Sequence, residues 1–335
     1  MLVWPQKNAL ILKSRAPEKI LNVIPKAKHF TIKGHSVVAV PHRTEETTLL
    51  RNLGYDAPAP IRSYYSWPGR FTPFHAQREA AAFLSMNRRA FNLSELGTGK
   101  SLASLWAYDY LRGIGQMNKC LVISPLSTLE RTWADEIFQH FPHLTYTVLH
   151  GSKDKRVKLL KEDFDVYIIN HDGVGIIEPH LKDRTDIDLV IVDEIAQCAR
   201  NAGTTRWRKI NTVVNKHKEP RACWGMSGTP TPNAPTDAWA QCRLVVPDKV
   251  PPYFNRFKGQ VMRQLNQFKW VPKAGATELV KDVMQPSVRF TRDECLDLPP
   301  LMYETRQVPL TKEQGKAYKD MLTKLRIQAE EGDIT

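Results

Sequence analysis

Ser94-Glu95-Leu96-Gly97-Thr98-Gly99-Lys100-Ser101 decides how the rest of this 335-residue chain is read. The run follows the apolar Phe91 and Leu93 and precedes a helical stretch, Leu102 to Leu111. Glycines allow successive backbone N–H groups to turn inward around an anion, a conformation that a Cβ resists. A lysine after such glycines reaches the β- and γ-phosphates of a nucleotide, the next hydroxyl ligates Mg²⁺, and the helix N-terminus adds its dipole. Gly97, Thr98, Gly99, Lys100 and Ser101 are therefore the expected nucleotide-binding residues, with ATP and Mg²⁺ as the expected cofactors. The plainer alternative is a glycine turn with an incidental Lys-Ser pair, and a strand before with a helix after weighs against it. Ser94 stands where a glycine or alanine is usual.

Outward from the loop, short apolar runs alternate with helical patterns: Cys120-Leu121-Val122-Ile123, Val166-Tyr167-Ile168-Ile169 and Leu189-Val190-Ile191-Val192. Unbroken apolar strands between helices predict an α/β fold whose parallel sheet is covered by helices on both faces. Each run ends in polar residues, where open α/β sheets place their sites. The third leads into Asp193-Glu194. At a strand tip beside a phosphate loop, Asp193 is expected to hold Mg²⁺ with Ser101, and Glu194 to polarise the attacking water. Taken alone, two carboxylates at a strand end are more simply a solvated pair. A further polar loop, Ser227-Gly228-Thr229-Pro230, suits a switch that senses the γ-phosphate, its plain alternative being a surface turn.

Composition sets the outer limits. At 42% hydrophobic and 25% charged residues the chain can bury a sizeable core, which excludes wholesale disorder. Its length suggests about two domains. The net charge is +13 and the pI about 9.5, which favours a polyanionic partner. Residues 1–65 hold ten Lys/Arg against four Asp/Glu, and residues 251–290 hold seven against two, so most of the excess sits in two flanks. Such flanks suit phosphate-backbone contacts, or else form a solvated basic surface. No apolar run approaches the ~18 residues of a membrane span, the N-terminus lacks a signal-peptide pattern, and no membrane partner is expected. Five scattered cysteines without CxxC spacing argue for a reducing compartment and against a zinc site. The histidines show no HExxH spacing, so no metal beyond Mg²⁺ is expected.

Before the loop, residues 1–65 read as a small basic α/β unit. Ala9-Leu10-Ile11-Leu12 and Val37-Val38-Ala39-Val40 are strands, Pro17 opens a short helix, and Thr44 caps a second helix that Gly54 ends. Ala57-Pro58-Ala59-Pro60 and Trp67-Pro68-Gly69 read as linker. Residues 66–300 form the nucleotide-binding domain, with 251–290 as a basic helical insertion in which Phe254, Phe257 and Trp270 are core. Residues 301–335 begin a connecting segment with a helix from about Lys312.

This order of elements resembles the first, RecA-like motor lobe of superfamily 2 helicases, and within them the Swi/Snf-type, remodeller-like translocases on double-stranded DNA. Phe74-His75-Ala76-Gln77 is similar to the family's adenine-reading motif, which implies Gln77 on the base. Ser124-Pro125-Leu126-Ser127, with Trp133 and Glu136, resembles its first DNA-contact motif, and His150-Gly151-Ser152 and Ile169-Asn170-His171-Asp172 resemble those that follow. Ser124, Pro125, Ser127, Thr128, Asn170 and His171 are thereby implied as DNA contacts, and Ser227, Thr229 and Asn233 as coupling residues, with Trp239 after them. Arg289 to Glu294, Leu298-Pro299-Pro300 and Leu310 to Tyr318 resemble the segment leading to a second lobe. The likeness covers about residues 70–325. The family's Asp-Glu-x-His is here Asp193-Glu194-Ile195-Ala196, so Gln197 is the expected substitute for the histidine, and Ala199-Arg200-Asn201 is offset by one residue.

The resemblance implies an ATP-dependent DNA translocase or helicase acting on duplex or branched DNA in recombination, fork repair or branch migration. It also implies a second lobe carrying an arginine finger, expected in a longer chain, without which turnover would be weak. Cytoplasmic work in a bacterial or virus-infected cell is expected, or nuclear work in a eukaryote. The N-terminal unit is expected to bind DNA, or else to serve as a cap or oligomer contact, and the oligomeric state is left open. An RNA or single-strand helicase and a non-hydrolysing DNA-binding scaffold are the alternatives. A kinase or other small-molecule P-loop enzyme accounts for neither Ser-Gly-Thr-Pro nor the basic flanks.

Overall fold

The computed structural model describes residues 1–32, 34–182, 184–267, 269–295 and 304–330. They fall into two compact units, Met1–Leu296 and Asp297–Thr335. The second contains the helix Lys312–Glu330, opened by a reciprocal pair of bonds between Thr311 and Gln314. Leu298-Pro299-Pro300 lies outside the described residues.

The first unit begins with an antiparallel sheet of β1 (Leu2–Trp4), β2 (Ala9–Lys13), β3 (Lys28–Ile32) and β4 (His35–Pro41), in spatial order β1-β2-β4-β3. Alternation puts Leu10, Leu12, Val38 and Val40 on one face, where Ile20, Ile24 and Leu50 of the helices Pro17–Val23 and Thr44–Asn52 cover them. Gly54 takes the left-handed conformation after the second helix, as expected. Thr44 is not its cap. Arg43 holds that position, and the Thr44 hydroxyl is buried without a hydrogen-bond partner among the described residues. His42, just before, is anchored by Tyr64 Oη (2.9 Å) and the Pro58 carbonyl (2.8 Å), so the helix starts one residue early.

The proline-rich run is packed rather than free. Ala57 joins the N-terminal core, while Ala59 and Ile61 join the core beneath the next sheet. Trp67 meets Trp106 edge-on at 6.0 Å, and Trp106 Nε1 donates to the Pro68 carbonyl (2.8 Å). Ala57, Ala59 and Pro60 are all buried, so the segment passes from one core to the other.

The central sheet comprises β5 (Arg89–Asn92), β6 (Lys119–Ser124), β7 (Tyr146–Val148), β8 (Val166–Asn170), β9 (Ile187–Val192) and β10 (Ala222–Met226). After the hairpin of β11 (Met262–Gln264) and β12 (Trp270–Pro272), β13 (Ser287–Val288) completes it in the order β13-β5-β10-β9-β6-β8-β7, every pair parallel. The apolar runs are continuous because both faces are buried. Cys120, Val122, Leu189, Ile191 and Trp224 face one core with Trp106 and Trp133, and Leu121, Ile123, Val190, Val192 and Cys223 face the other. Residues 251–290 hold the helices Phe254–Val261 and Ala276–Val283 around that hairpin and end in β13, a strand of the central sheet. Phe257 is fully buried there. Phe254, expected in the core, is instead exposed, its ring edge-on to Trp239 at 5.5 Å, and Lys258 Nζ lies 3.8 Å from the centre of the Trp270 ring.

Beneath the sheet, the buried Arg221 guanidinium donates to the carbonyls of Ile187 (2.6 Å), Val213 (2.6 Å), Leu181 (3.0 Å) and Arg184 (2.8 Å). Arg221→Leu leaves these carbonyls without their donor, so a stability loss of about 3 kcal/mol or more is expected in urea unfolding. Exposed Arg131→Leu serves as the control and should lose little.

Candidate nucleotide site

Because the strands run parallel, their C-terminal ends share one edge of the sheet. That edge gathers the phosphate loop after β5, Ser124 at the end of β6, Asn170 at the end of β8, Asp193 after β9 and Ser227 after β10. Gly97 (φ +85°) and Gly99 (φ +77°) take the left-handed backbone that the loop requires. Thr98 Oγ1 donates to the Glu95 carbonyl (2.8 Å), and so does Lys100 Nζ (3.1 Å). Lys100 is only 8% exposed and opens the helix Lys100–Gly113. Ser101 follows, half-buried. A Cβ on Gly99 would collide with the Gln77 amide, so Gln77 lies over the loop, held there by Phe74 N–H donating to its Oε1 (2.9 Å). Gly228 also presses on the loop: a Cβ there would stand 3.3 Å from Leu96 N. The expected adenine-side residue and the expected switch loop thus both touch the phosphate loop.

Asp193 is 7% exposed and bonded on every side. Its Oδ2 accepts from Ser124 Oγ (3.0 Å) and Trp133 Nε1 (3.0 Å), and its Oδ1 accepts from Glu194 N–H (3.0 Å). Trp133 Nε1 also reaches Ser124 Oγ (3.1 Å), which shares a bond with Thr128 Oγ1 (2.5 Å). His171 Nε2 donates to the Asp193 carbonyl (2.8 Å), and burial holds the His171 pKa down, in its neutral form. The expected DNA contacts therefore divide. Ser124 and His171 are buried braces of Asp193, because a carboxylate taken out of water needs donors. Ser127 is exposed, whereas Pro125, Thr128 and Asn170 are partly so, and Asn170 Oδ1 accepts from Arg156 (3.0 Å). Glu136 also turns inward. Burial and the charge of Asp193 push its carboxyl up to about 8, and its Oε2 has no partner among the described residues.

Glu194 sits in the left-handed region at φ +45°, a strained backbone for a non-glycine residue. Burial and then Asp193 raise its pKa, while Lys100 and the Ser227 hydroxyl oppose the rise. Burial lowers the Lys100 pKa against the pull of Glu194 and Asp193. Ser227 is buried and accepts from Thr229 N–H (3.2 Å), and Thr229 is exposed. Asn233 is exposed, its N–H bonded to Asp237 Oδ2 (2.9 Å) at a helix entry. Ala196 is buried, and Gln197, the expected substitute for the family's histidine, is exposed.

The donor set fits a Mg²⁺-bound triphosphate. It offers a buried amine at the end of a glycine loop, a hydroxyl at a helix N-terminus and a carboxylate kept in place by N–H and O–H groups. Among the described residues no three His, Cys, Asp or Glu side chains converge as a metal site. Such an ion would therefore take Ser101, Asp193, phosphate oxygens and water, the usual habit of Mg²⁺.

One feature escaped the sequence. β13 and the residues after it lie along the phosphate loop: Leu93 N–H donates to the Val288 carbonyl (2.8 Å), Glu95 N–H to the Phe290 carbonyl (2.9 Å), and Phe290 N–H to Ser94 Oγ (3.1 Å). The Glu95 carboxylate takes Arg292 N–H (3.1 Å) and Arg289 (3.4 Å). The hydroxyl that looked out of place at 94 is an acceptor for this segment. Nothing local in the sequence signals a partner almost two hundred residues away.

Trp133→Phe keeps the ring volume but removes one donor from Asp193. A rise in metal-linked KM for ATP, worth about 1.5–3 kcal/mol in apparent affinity, is expected in a Mg²⁺ titration of turnover. Glu136, protonated when folded, gives stability below its ordinary 4.5 that is lost as pH rises through about 8. Thermal melts in EDTA should show that alkaline loss in the parent and a flatter profile in Glu136→Gln.

The profile of the SNF2-related domain matches residues 77–334. Over 260 residues, 71% of the chain, it is 26% identical to a Caenorhabditis elegans homolog of the SWI/SNF-related matrix-associated actin-dependent regulator of chromatin subfamily A containing DEAD/H box 1, covering 25% of that protein. It is 30% identical over 160 residues, 46% of the chain, to the ISWI chromatin-remodeling complex ATPase ISW2 of Saccharomyces cerevisiae, covering 14% of it. A protein named p41 from Acyrthosiphon pisum secondary endosymbiont phage 1 is 28% identical over 182 residues, 52% of this chain and 39% of that one. The chain thus spans well under half the length of these relatives. In fold it is similar to the Sulfolobus solfataricus SWI2/SNF2 ATPase core solved with dsDNA, with a TM-score of 0.58 at 20% identity over 80% of this chain and 55% of that one. A profile running through most of the sequence, on a sheet that superposes with that core, makes this chain a member of the SNF2-related domain family, with the RecA-like α/β fold of a Swi/Snf-type superfamily 2 ATPase motor lobe.

Proposed function

We propose that this chain binds ATP with Mg²⁺ on the loop 97–101 and hydrolyses it to drive movement along, or remodelling of, duplex or branched DNA. The observation that carries the reading is the convergence of Lys100, Asp193 and Glu194 at one sheet edge, with Gly228 packed on the phosphate loop. Lys100 would bind the β- and γ-phosphates, and Gln77 would meet the base. Ser101 and Asp193 would hold the ion, which neutralises phosphate charge when bound. Glu194 would accept the proton of the attacking water, a task its raised pKa favours. Ser227 and Thr229, through Gly228, would pass the state of the phosphate to the exposed Ser127 and the neighbouring Pro125, Thr128 and Asn170, where the DNA backbone would run. Asn233 would support that coupling from the entry of the next helix.

The naming of the yeast relative as an ATPase and the dsDNA in the Sulfolobus structure support this reading. A second lobe with an arginine finger would complete the motor. Recombination, fork repair and branch migration are the proposed settings, because each presents branched DNA. The substrate implies a cytoplasmic place of work in a bacterial or infected cell, or a nuclear one in a eukaryote.

The test is ATP turnover by the full-length protein with no nucleic acid, single strand, duplex, four-way DNA or RNA. Duplex or branched DNA should stimulate turnover about tenfold or more, and Lys100→Ala or Glu194→Gln should abolish it. DNA affinity should fall about a hundredfold between about 50 and about 200 mM salt. Stimulation by RNA alone would favour an RNA helicase. DNA binding without turnover, unchanged in Lys100→Ala, would mean a scaffold, and a flat salt response would overturn the backbone contacts.

A further inference from the structure

The N-terminal sheet buries one face and leaves the other open. Its register places Trp4 opposite Ala9, Leu2 opposite Ile11, Ile11 opposite Ala39, Ala39 opposite Lys28, and Val37, itself buried, between Lys13 and Phe30, all on this second face. Trp4 and Phe30 are each 46% exposed, and every residue of β3 is exposed. Free aromatic rings on a sheet are costly to leave in water and uncommon unless something covers them.

A cleft of about 1070 Å³ opens from the same face, with Ala9 and Ala39 in its floor. Lys7, Lys26, Lys28 and Arg43 line it from the N-terminal unit, and Arg112 from the motor lobe. Among the described residues the first four form no ion pair, and Arg112 pairs with Asp165. Two carboxylates also line the cleft, Glu45 and Asp109, and Asp109 already accepts from Tyr65 Oη (2.6 Å) and pairs with His143 (2.7 Å). The cleft therefore presents uncompensated positive charge. It is a separate site from the phosphate loop. The two lie at opposite ends of the helix Lys100–Gly113, whose fourteen residues span about 20 Å.

We propose that this open face and its cleft bind a single-stranded stretch of nucleic acid, with phosphates among Lys7, Lys26, Lys28 and Arg43 and unpaired bases on Trp4 and Phe30. Unpartnered cations beside exposed rings are what a single strand requires, since its backbone tracks charge and each base offers a stacking face. A duplex keeps its bases inside and would leave the rings unused. A mononucleotide would fill the cleft and leave the sheet face bare. The inference does not depend on ATP hydrolysis.

The test is fluorescence anisotropy on the full-length protein without nucleotide, using labelled oligo-dT, oligo-U and a duplex of equal length. Trp4→Ala with Phe30→Ala should weaken single-strand binding about tenfold or more, and Lys7→Glu with Lys28→Glu should do the same and flatten its salt dependence. Trp4→Tyr with Phe30→Tyr, which keeps both rings, should bind like the parent. Duplex affinity and basal ATP turnover should hold in all variants, which separates this site from the motor. Comparing dT with U tells DNA from RNA as the source. Unchanged single-strand affinity in the Ala pair would overturn the proposal. So would an equal loss on duplex, which would reveal a general phosphate patch.

Discussion

A parallel sheet with helices on both faces has no wet side. The apolar residues along β6, β8, β9 and β10 face one core or the other, so polar chemistry is confined to positions at or near the strand ends. The consequence is concentrated at Asp193. One step past β9, it remains almost as buried as the strand, and a carboxylate there persists only if donors are built around it. The indole of Trp133, the hydroxyl of Ser124 and the N–H of Glu194 supply them, and His171 fixes the backbone from behind. Four separate segments of chain must therefore be in register before this one side chain is stable.

Electrostatics at the edge follow from the same burial. Lys100, Glu194 and Asp193 each meet a desolvated setting, and each partly relieves another: the amine lowers the pKa of Glu194, and the two carboxylates raise that of the amine. Ser227 adds a neutral donor to that balance. Where the resemblance implies a histidine, Ala196 contributes no polar atom, so contact between the third motif and the phosphate loop rests on Gly228 and its close approach to Leu96.

Much of this was legible in the residues. The glycine loop, the Asp-Glu strand end and the strands around them are local signals, and periodicity with spacing found them where they stand. What escaped depends on distant partners. Ser124 and His171 look like surface contacts in a linear motif, and only the neighbouring strand end reveals that they brace a carboxylate. The Ala-Pro run has the composition of a linker, yet its residues are buried in two different cores. Thr44 carries a capping side chain, but the anchoring of His42 moves the helix start past it. β13 is two residues long, too short for any periodicity, and only its bonds to β5 make it a strand.

The segment from β13 to Arg292 also has a mechanical meaning. It runs parallel to β5 and the phosphate loop, tied rung by rung from Phe91 to Glu95. Tension applied to the chain beyond Arg292 along that direction loads those bonds together, in shear, instead of peeling them one at a time. Ser94 and Glu95 are the anchor points, and Glu95 is the residue whose carbonyl holds Thr98 and Lys100. Load on the outgoing chain therefore bears on the same residue that holds Thr98 and Lys100 in place.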